Sequence, residues 1–161
     1  MLRSPTSRAT GLPTLDARTD FQRARRAQAA RRAARWLARR RREPGHPPTL
    51  PPAALLPGGR PILEVVPLAS IVGTVEPALH FDAGFRPASE LVRARWERIA
   101  LAHRRGISLP PITIVEGPGG FYVVDGRHRV SVALALGLRD INAWVSRAAR
   151  RARHERRPCC Q

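Results

Sequence analysis

The part of the sequence best suited to chemistry is residues 125–129, where an apolar strand pattern ends and a helix pattern begins. The first N–H groups of a helix have no intrahelical acceptor and lie at the positive end of the helix dipole. Gly126 has no Cβ atom and lets a ligand approach the backbone closely. Arg127, His128 and Arg129 add side-chain donors to the same turn. Together these features predict a site for a phosphate group.

Several roles for the turn are open on the residues alone. Asp125 can cap the helix, hold a cation such as Mg²⁺, or orient His128. The residues define no complete metal site, and the Gly-x-x-x-x-Gly-Lys-Ser/Thr pattern of P-loop proteins is absent. In the alternative interpretation the turn only connects two elements. Its arginines are then solvated or paired with Glu76 or Asp82, and His128 is a packed, hydrogen-bonded imidazole.

The elements that must position this turn follow from apolar periodicity and from Gly and Pro positions. Helices are predicted from Ser89, as N-cap, to residue 105 and from residue 126 to Gly137, the latter packing through Val130, Ala133 and Leu134. Strands are predicted over residues 62–66, 71–76, 112–116, 121–124 and 141–145, with a hairpin joining the third and fourth. This order predicts a small α+β domain with a mixed sheet and packed helices.

Charge is distributed unevenly along the 161 residues. All 29 basic residues are arginine, and with 12 acids they give a formal charge of +17 and a pI near 11.9. Residues 60–146 hold 10 Arg and 8 acids, whereas residues 1–59 hold 13 and 3 and residues 147–161 hold 6 and 1. We therefore expect a nearly balanced domain over residues 60–146 between two basic arms. Such arms predict attraction to DNA or another polyanion.

The N-terminal arm is expected to contain one helix and one linker. Residues 20–42 lack Gly and Pro and are rich in Ala and Arg, which predicts a helix that Asp20 caps and that buries little. Residues 1–19 are expected to form a disordered leader. Residues 43–61 hold seven prolines and are expected to form a linker. A solvated extension without a partner, GC-rich coding bias, or a wrongly assigned start codon would produce the same composition.

Several classes of protein are excluded by features that the sequence lacks. It has no run of about 18 apolar residues and no apolar core of a secretory signal near its N-terminus, so we expect a cytoplasmic protein without a membrane span. Cys159 and Cys160 are adjacent and cannot form a disulfide framework or a CxxC metal site. They are incidental, or they form a vicinal disulfide, a metal contact or a dimer cross-link.

The turn at residues 125–129, followed by a helix of small residues, resembles the second signature of the ParB/sulfiredoxin superfamily. The resemblance extends over residues 62–146 and includes residues 68–76, 81–87, 95–100 and 106–112. It is closest to short, stand-alone ParB-like proteins with labels such as chromosome partitioning. It implies a ParB/sulfiredoxin-like fold for this part of the chain.

The resemblance also implies ligands. In ParB proteins the matching turn binds the phosphates of CTP, which implies a nucleotide here (CTP, ATP or ADP), with Mg²⁺ as a possible companion. The basic arms would then hold DNA, at the nucleoid, and a homodimer is a further possibility. Only 15 residues follow residue 146, too few for a helix-turn-helix module, so we do not expect sequence-specific DNA binding.

Two enzymatic branches of the superfamily give different expectations. Sulfiredoxins carry a nucleophilic cysteine where Arg127 stands, and a guanidinium cannot replace a thiolate, so sulfiredoxin chemistry is not expected. Free serine kinases of the superfamily use an upstream glutamate as base, and Glu76 lies in the corresponding region. The alternative function is therefore a small phosphotransferase or nucleotide hydrolase with Glu76 as a candidate catalytic residue.

Overall fold

The computed structural model describes residues 10–37, 45–51 and 60–147. The helices are α1 (Pro13–Leu37), α2 (Arg93–Arg104) and α3 (Arg127–Ala135), with 3₁₀ turns at Leu68–Ser70 and Glu90–Val92. The strands are β1 (Ile62–Pro67), β2 (Ile71–Thr74), β3 (Ile112–Gly117), β4 (Gly120–Asp125) and β5 (Asp140–Ser146). The predicted order of elements within residues 60–146 is confirmed, and so is the α+β class.

The five strands form one mixed sheet in the order β1-β5-β3-β4-β2. Strand β1 is antiparallel to β5, and β3 is antiparallel to β4, which confirms the predicted hairpin. The β3–β5 and β2–β4 pairs are parallel. The central position of β3 and β4 places the start of α3, directly after β4, beside the middle of the sheet.

Helix α3 lies between the sheet and α2 and is buried on both sides. Val130 and Ala133 belong to the core cluster that covers the sheet, as predicted. Leu134 is 39 % exposed, so its predicted burial was wrong. Instead Val132 packs in a second cluster, and Ser131 accepts a 2.9 Å hydrogen bond from Trp96 Nε1 of α2. A single apolar stripe could not predict these contacts because the helix has two packed faces.

Helix α1 differs from the prediction in its bounds and in its burial. It begins at Pro13, not near Asp20, because proline is compatible with the first helical turn and no other Pro or Gly follows until after Leu37. The predicted part beyond Leu37 lies outside the described residues. Phe21 is 1 % exposed and makes an edge-to-face contact with Trp96, with ring centroids 5.5 Å apart. The expectation of a helix that buries little was therefore wrong.

Two buried aspartates of α1, Asp16 and Asp20, bind this helix to the rest of the fold. Asp20 is buried inside the helix and is not its N-cap, and its Oδ2 lies 2.6 Å from Arg104 Nη2 of α2. Asp16 accepts hydrogen bonds from the backbone N–H and the hydroxyl of Thr10. These bonds lower the pKa of Asp16 below its ordinary value. The Asp16 carboxylate therefore stays charged, and both aspartates lie within ion-pair distance of the Arg104 guanidinium across the interface.

Part of the predicted linker packs against the sheet. Thr49 bridges Thr74 at the outer edge of β2, where the Leu50 N–H donates to Thr74 O and the Thr74 N–H donates to Pro48 O, both at 2.8 Å. Leu50 is 1 % exposed and packs with Tyr122. Residues 48–50 thus satisfy backbone groups that an open sheet edge would expose. The division of the chain at residue 59 stays a prediction, and the tail with Cys159 and Cys160 lies outside the described residues.

The described helices are short or highly charged. Helix α1 has 25 residues, but seven of them are arginine and two are aspartate. Helices α2 and α3 have 12 and 9 residues. No helix within the described ranges is long and apolar enough to cross a membrane.

Candidate functional site

The backbone at the β4–α3 junction requires glycine at position 126. Gly126 has a φ of 107°, in the left-handed region, and α3 begins at the next residue. A Cβ atom there would lie 2.5 Å from Ile112 Cγ2 of the buried core. The first bond of the helical ladder runs from Val130 N–H to Gly126 O, so the N–H groups of residues 127–129 precede the ladder.

A cleft of about 230 Å³ lies beside this junction, and we call it the junction cleft. Its walls are the junction itself, the segment of residues 77–81, and the side of α2 that carries Arg95 and Ile99. All five residues predicted for the phosphate site line it: Asp125, Gly126, Arg127, His128 and Arg129. The structure therefore brings the predicted residues together around one concave surface.

His128 is half-buried and lines the junction cleft. Its ring makes an edge-to-face contact with Phe81, with centroids 5.2 Å apart. Burial, together with the positive charges of Arg95 and Arg127, lowers the pKa of His128 from 6.5 to about 4. The imidazole is therefore neutral at pH 7. Its contact with Phe81 corresponds to the packed role that the residues alone left open.

Arg127 lines the cleft and pairs with an exposed acid. Its Nη2 is 3.3 Å from Glu76 Oε2, and its Nη1 donates to Pro77 O at 3.2 Å. The Glu76 side chain is 70 % exposed. An exposed ion pair of this kind contributes little to stability, so another anion can compete with Glu76 for Arg127. The structure thus places Glu76 beside Arg127. This is the ion pair expected if the turn only connects two elements.

Arg129 is held more firmly than Arg127. Its side chain is 13 % exposed, and its Nη1 donates to the carbonyl oxygens of Pro110 and Pro111. Its Nη2 lies 2.7 Å from Asp125 Oδ2. These contacts join α3 to the start of β3 and orient the Asp125 carboxylate. Arg129 is therefore a positioning residue for Asp125. Most of its N–H donors are used in bonds within the protein.

Asp82, the other carboxylate considered as a partner of the turn, is engaged elsewhere. Its Oδ1 accepts the backbone N–H groups of Gly84 and Arg86, both at 2.9 Å. Its Oδ2 lies 3.9 Å from Arg86 Nη1. These bonds shape the loop in which Phe85 has a φ of 57° and points into the core. Asp82 thus supports the loop that carries Phe81 against His128.

Two titratable residues that line the cleft were not among the predicted site residues. Arg95 and His80 both line it and both act on the titration of His128. Arg95 is an exposed residue of a charged helix, and the sequence pattern there is that of a solvated face. Only the packing of α2 beside the junction gives it a place in the site.

The donor set of the site suits an anion better than a bare metal ion. No group of three or more His, Cys, Asp or Glu side chains comes together as a metal site within the described ranges. Asp125 is already paired with Arg129. Mg²⁺ is commonly held by one or two carboxylates together with substrate phosphates. Asp125 and Glu76 could thus contribute to a Mg²⁺ ion only alongside a bound phosphate.

Comparisons with known proteins give a weak structural likeness to a sulfiredoxin. No family model matches the sequence, and no curated protein sequence matches it. The crystal structure of sulfiredoxin from Arabidopsis thaliana is 21 % identical over an alignment that covers 55 % of this chain and 88 % of that chain, with a TM-score of 0.36. At this identity and score the likeness carries no conclusion about fold or activity. The α+β class rests on the strand order itself.

Proposed function

We propose that the junction cleft binds the phosphate of a nucleotide. The observation that carries this proposal is the convergence of Arg95, Arg127 and the first turn of α3 on one small cleft. Cationic side chains and helix N-terminal N–H groups are the usual donors to phosphate. A concave site lined by one sign of charge also concentrates anions. Burial is the main cause of the low pKa of His128, and the positive charges of Arg95 and Arg127 lower it further.

The size of the cleft limits what it can hold. A volume of about 230 Å³ lies below the range of about 300–1,000 Å³ for sites that enclose a whole small molecule. The proposal therefore places phosphate inside, with the ribose and base of CTP, ATP or ADP at the rim. The phosphate would share Arg127 with Glu76 or displace that carboxylate. Mg²⁺ would accompany the phosphate, as the donor set allows.

A second candidate function is phosphoryl transfer or nucleotide hydrolysis. It is favoured by one observation, the position of the Glu76 carboxylate 3.3 Å from Arg127, a residue that lines the cleft. A carboxylate at that place could accept a proton from an acceptor hydroxyl or a water molecule. In this proposal Glu76 takes the proton of the acceptor hydroxyl or water, the acceptor oxygen bonds to the terminal phosphorus, and the bridging P–O bond breaks to release the shortened nucleotide. Arg127 binds the transferred phosphoryl group.

Association with DNA forms a further part of the proposal. Its support is the excess of arginine in residues 1–59 and 147–161, and seven of the arginines in the first of these segments lie on α1. Contacts of this kind go to phosphates and carry no base sequence. A cytoplasmic location at the nucleoid and a homodimer belong to the same proposal. We do not extend it to sequence-specific chromosome partitioning.

Calorimetric titration of the full chain tests the nucleotide proposal. CTP, ATP, ADP and GTP are added with Mg²⁺ to the wild type and to two variants. Arg127→Ala removes an arginine of the cleft, and Arg139→Ala removes an exposed arginine from the turn after α3. We expect saturable binding of one nucleotide that is lost in Arg127→Ala and kept in Arg139→Ala. Absence of binding, or equal loss in both variants, would overturn the proposal.

The enzymatic alternative requires a separate measurement. Glu76→Gln keeps the shape of the side chain and removes its ability to take a proton. Release of phosphate or nucleoside diphosphate by the wild type, with loss of turnover but retained nucleotide binding in Glu76→Gln, would support it. The enzymatic alternative would be overturned if the wild type binds the nucleotide but releases no product, with water or with small hydroxyl compounds as acceptors.

A further inference from the structure

A second concave surface runs along the outer half of α1. It has a volume of about 810 Å³, and we call it the α1 groove. One wall is α1 itself, from Phe21 to Trp36, and the other is formed by Ala88, Glu90 and Arg93 at the start of α2. Residues 21, 25, 29, 32 and 36 of α1 follow helical spacing and therefore share one face. At about 1.5 Å per residue this face is about 22 Å long.

The two ends of the groove differ in burial. At one end Phe21 is packed in the core, with the Arg93 guanidinium 5.7 Å from its ring centroid. At the other end Trp36 is 80 % exposed. The wall between them contains Ala29 and Ala33, whose small side chains let a ligand approach the helix closely. An indole left in water beside such a wall has a large apolar surface available for contact with a partner.

The charge of the groove selects an anionic partner. Four arginines line it (Arg25, Arg26, Arg32 and Arg93), against one acid, Glu90. Glu90 is already engaged, since its Oε1 lies 3.3 Å from Arg25 Nε and its Oε2 lies 3.7 Å from Arg93 Nη1. Arg26 and Arg32 make no ion pair within the part of the chain that the structure describes. Their charges are therefore available to an incoming polyanion.

An exposed indole among arginines is suited to unpaired bases. Aromatic side chains stack on the bases of single strands, while arginines follow the phosphate backbone. The bases of a duplex are stacked on one another and present only their edges. We propose that the α1 groove binds single-stranded nucleic acid, with a base stacked on Trp36 and phosphates on Arg26 and Arg32. This inference rests on the proposed association with nucleic acid and is independent of nucleotide binding in the junction cleft.

Fluorescence anisotropy of labelled oligothymidylate, titrated with the full chain over a range of salt concentrations, tests the stacking. The variants are Trp36→Ala and, as a matched control, Trp144→Ala, a partly exposed tryptophan of β5 outside the groove. Trp36→Ala is expected to weaken binding about tenfold, the effect of losing one stacked base. The slope of log K against log salt stays the same because no charge changes. Trp144→Ala is expected to stay within about twofold of the wild type.

The phosphate contacts are tested by two double variants. Arg26→Ala/Arg32→Ala is expected to reduce the salt slope by about 1.4, since each contact with a single strand contributes about 0.7. Arg98→Ala/Arg139→Ala removes two exposed arginines outside the groove and is expected to change the slope less.

Three results would overturn the proposal: equal effects of the two tryptophan variants, equal slopes in the two arginine double variants, or a labelled duplex that binds as tightly as the single strand and is insensitive to Trp36. Circular dichroism checks that the variants keep their helices. Calorimetry with mononucleotide separates the two sites, because Trp36→Ala leaves the junction cleft intact.

Discussion

At the scale of single residues, the two arginines of the junction have the same chemistry but different surroundings. Arg129 is nearly buried and holds two carbonyl groups and Asp125, whereas Arg127 pairs with the exposed Glu76. Loss of Arg129 would remove its hydrogen bonds to the Pro110 and Pro111 carbonyl groups as well as its pair with Asp125. This should cost more than the loss of one exposed ion pair. A binding experiment at this site is therefore interpretable with Arg127 and not with Arg129.

We expect Arg129→Ala to lower the free energy of unfolding by about 2–3 kcal/mol, since several charge-assisted hydrogen bonds are lost. Arg127→Ala should cost less than about 1 kcal/mol because its ion pair is exposed. Urea denaturation of both variants measures the difference. Equal destabilisation would show that the two side chains do not play the separate roles described here.

His128 should make stability depend on pH. Its pKa is about 4 in the folded protein and 6.5 as the ordinary value, so between these pH values the unfolded chain binds more protons. The free energy of unfolding should therefore fall as the pH falls from 6.5 to 4. The full pKa difference corresponds to about 3 kcal/mol, and partial exposure reduces this to about 1–2 kcal/mol.

Unfolding by urea at several pH values checks this prediction. His128→Gln should remove most of the slope between pH 6.5 and 4, whereas His103→Gln, a change at an exposed position of α2, should not. A bound phosphate would favour the protonated imidazole, so nucleotide affinity should rise as the pH falls through the same window. An unchanged slope in His128→Gln would contradict the assignment.

At the scale of elements, the docking of α1 on α2 rests on a small number of side chains. Phe21 contacts the fully buried Trp96, and Asp20 pairs with Arg104. The second half of α1 continues past this contact and carries the exposed Trp36. The same helix is thus anchored at one end and presents an open groove at the other.

Phe21→Ala should lower the free energy of unfolding by about 3 kcal/mol, the usual cost of removing a buried phenyl ring. Backbone amides of α1 should exchange faster with solvent, because the helix loses its main apolar anchor. Trp36→Ala, on the same helix but 80 % exposed, serves as the control and should change stability by less than about 0.5 kcal/mol. Similar losses in the two variants would contradict the packing of Phe21.

At the scale of the whole chain, part of the apolar core of residues 60–147 is covered by segments that precede residue 60. Trp96 and Val92 are covered by α1, and Tyr122 and Val115 are covered by Leu50. A fragment that begins at residue 60 would expose these apolar side chains to water. The full chain is therefore the appropriate protein for binding experiments, although the charge pattern favoured a division at residue 59.

The fragment of residues 60–147 should be less stable than the full chain by at least as much as Phe21→Ala, because it loses the same contact and others. Urea denaturation of the fragment, the full chain and Phe21→Ala, together with binding of a hydrophobic dye, measures this effect. A fragment that unfolds at the same urea concentration as the full chain would show that α1 and Leu50 contribute nothing to the core.

The order of elements from β1 to β5, the hairpin, and the position of the glycine junction before α3 can all be predicted from the sequence. These features depend on neighbours close in the chain: apolar periodicity, the Pro118-Gly119 turn, and the cap at Ser89, whose side chain accepts the Leu91 N–H. Local patterns of this kind are expressed in the residues themselves. The candidate site residues 125–129 were found in the same way.

Which of those residues bind within the fold and which remain accessible in the cleft depends on tertiary packing. The difference between Arg127 and Arg129, the approach of Arg95 to His128, and the docking of Phe21 on Trp96 all join parts distant in the sequence. Charge and composition describe how much arginine a segment carries. They do not describe which carbonyl or carboxylate that arginine meets, because this depends on how the elements pack.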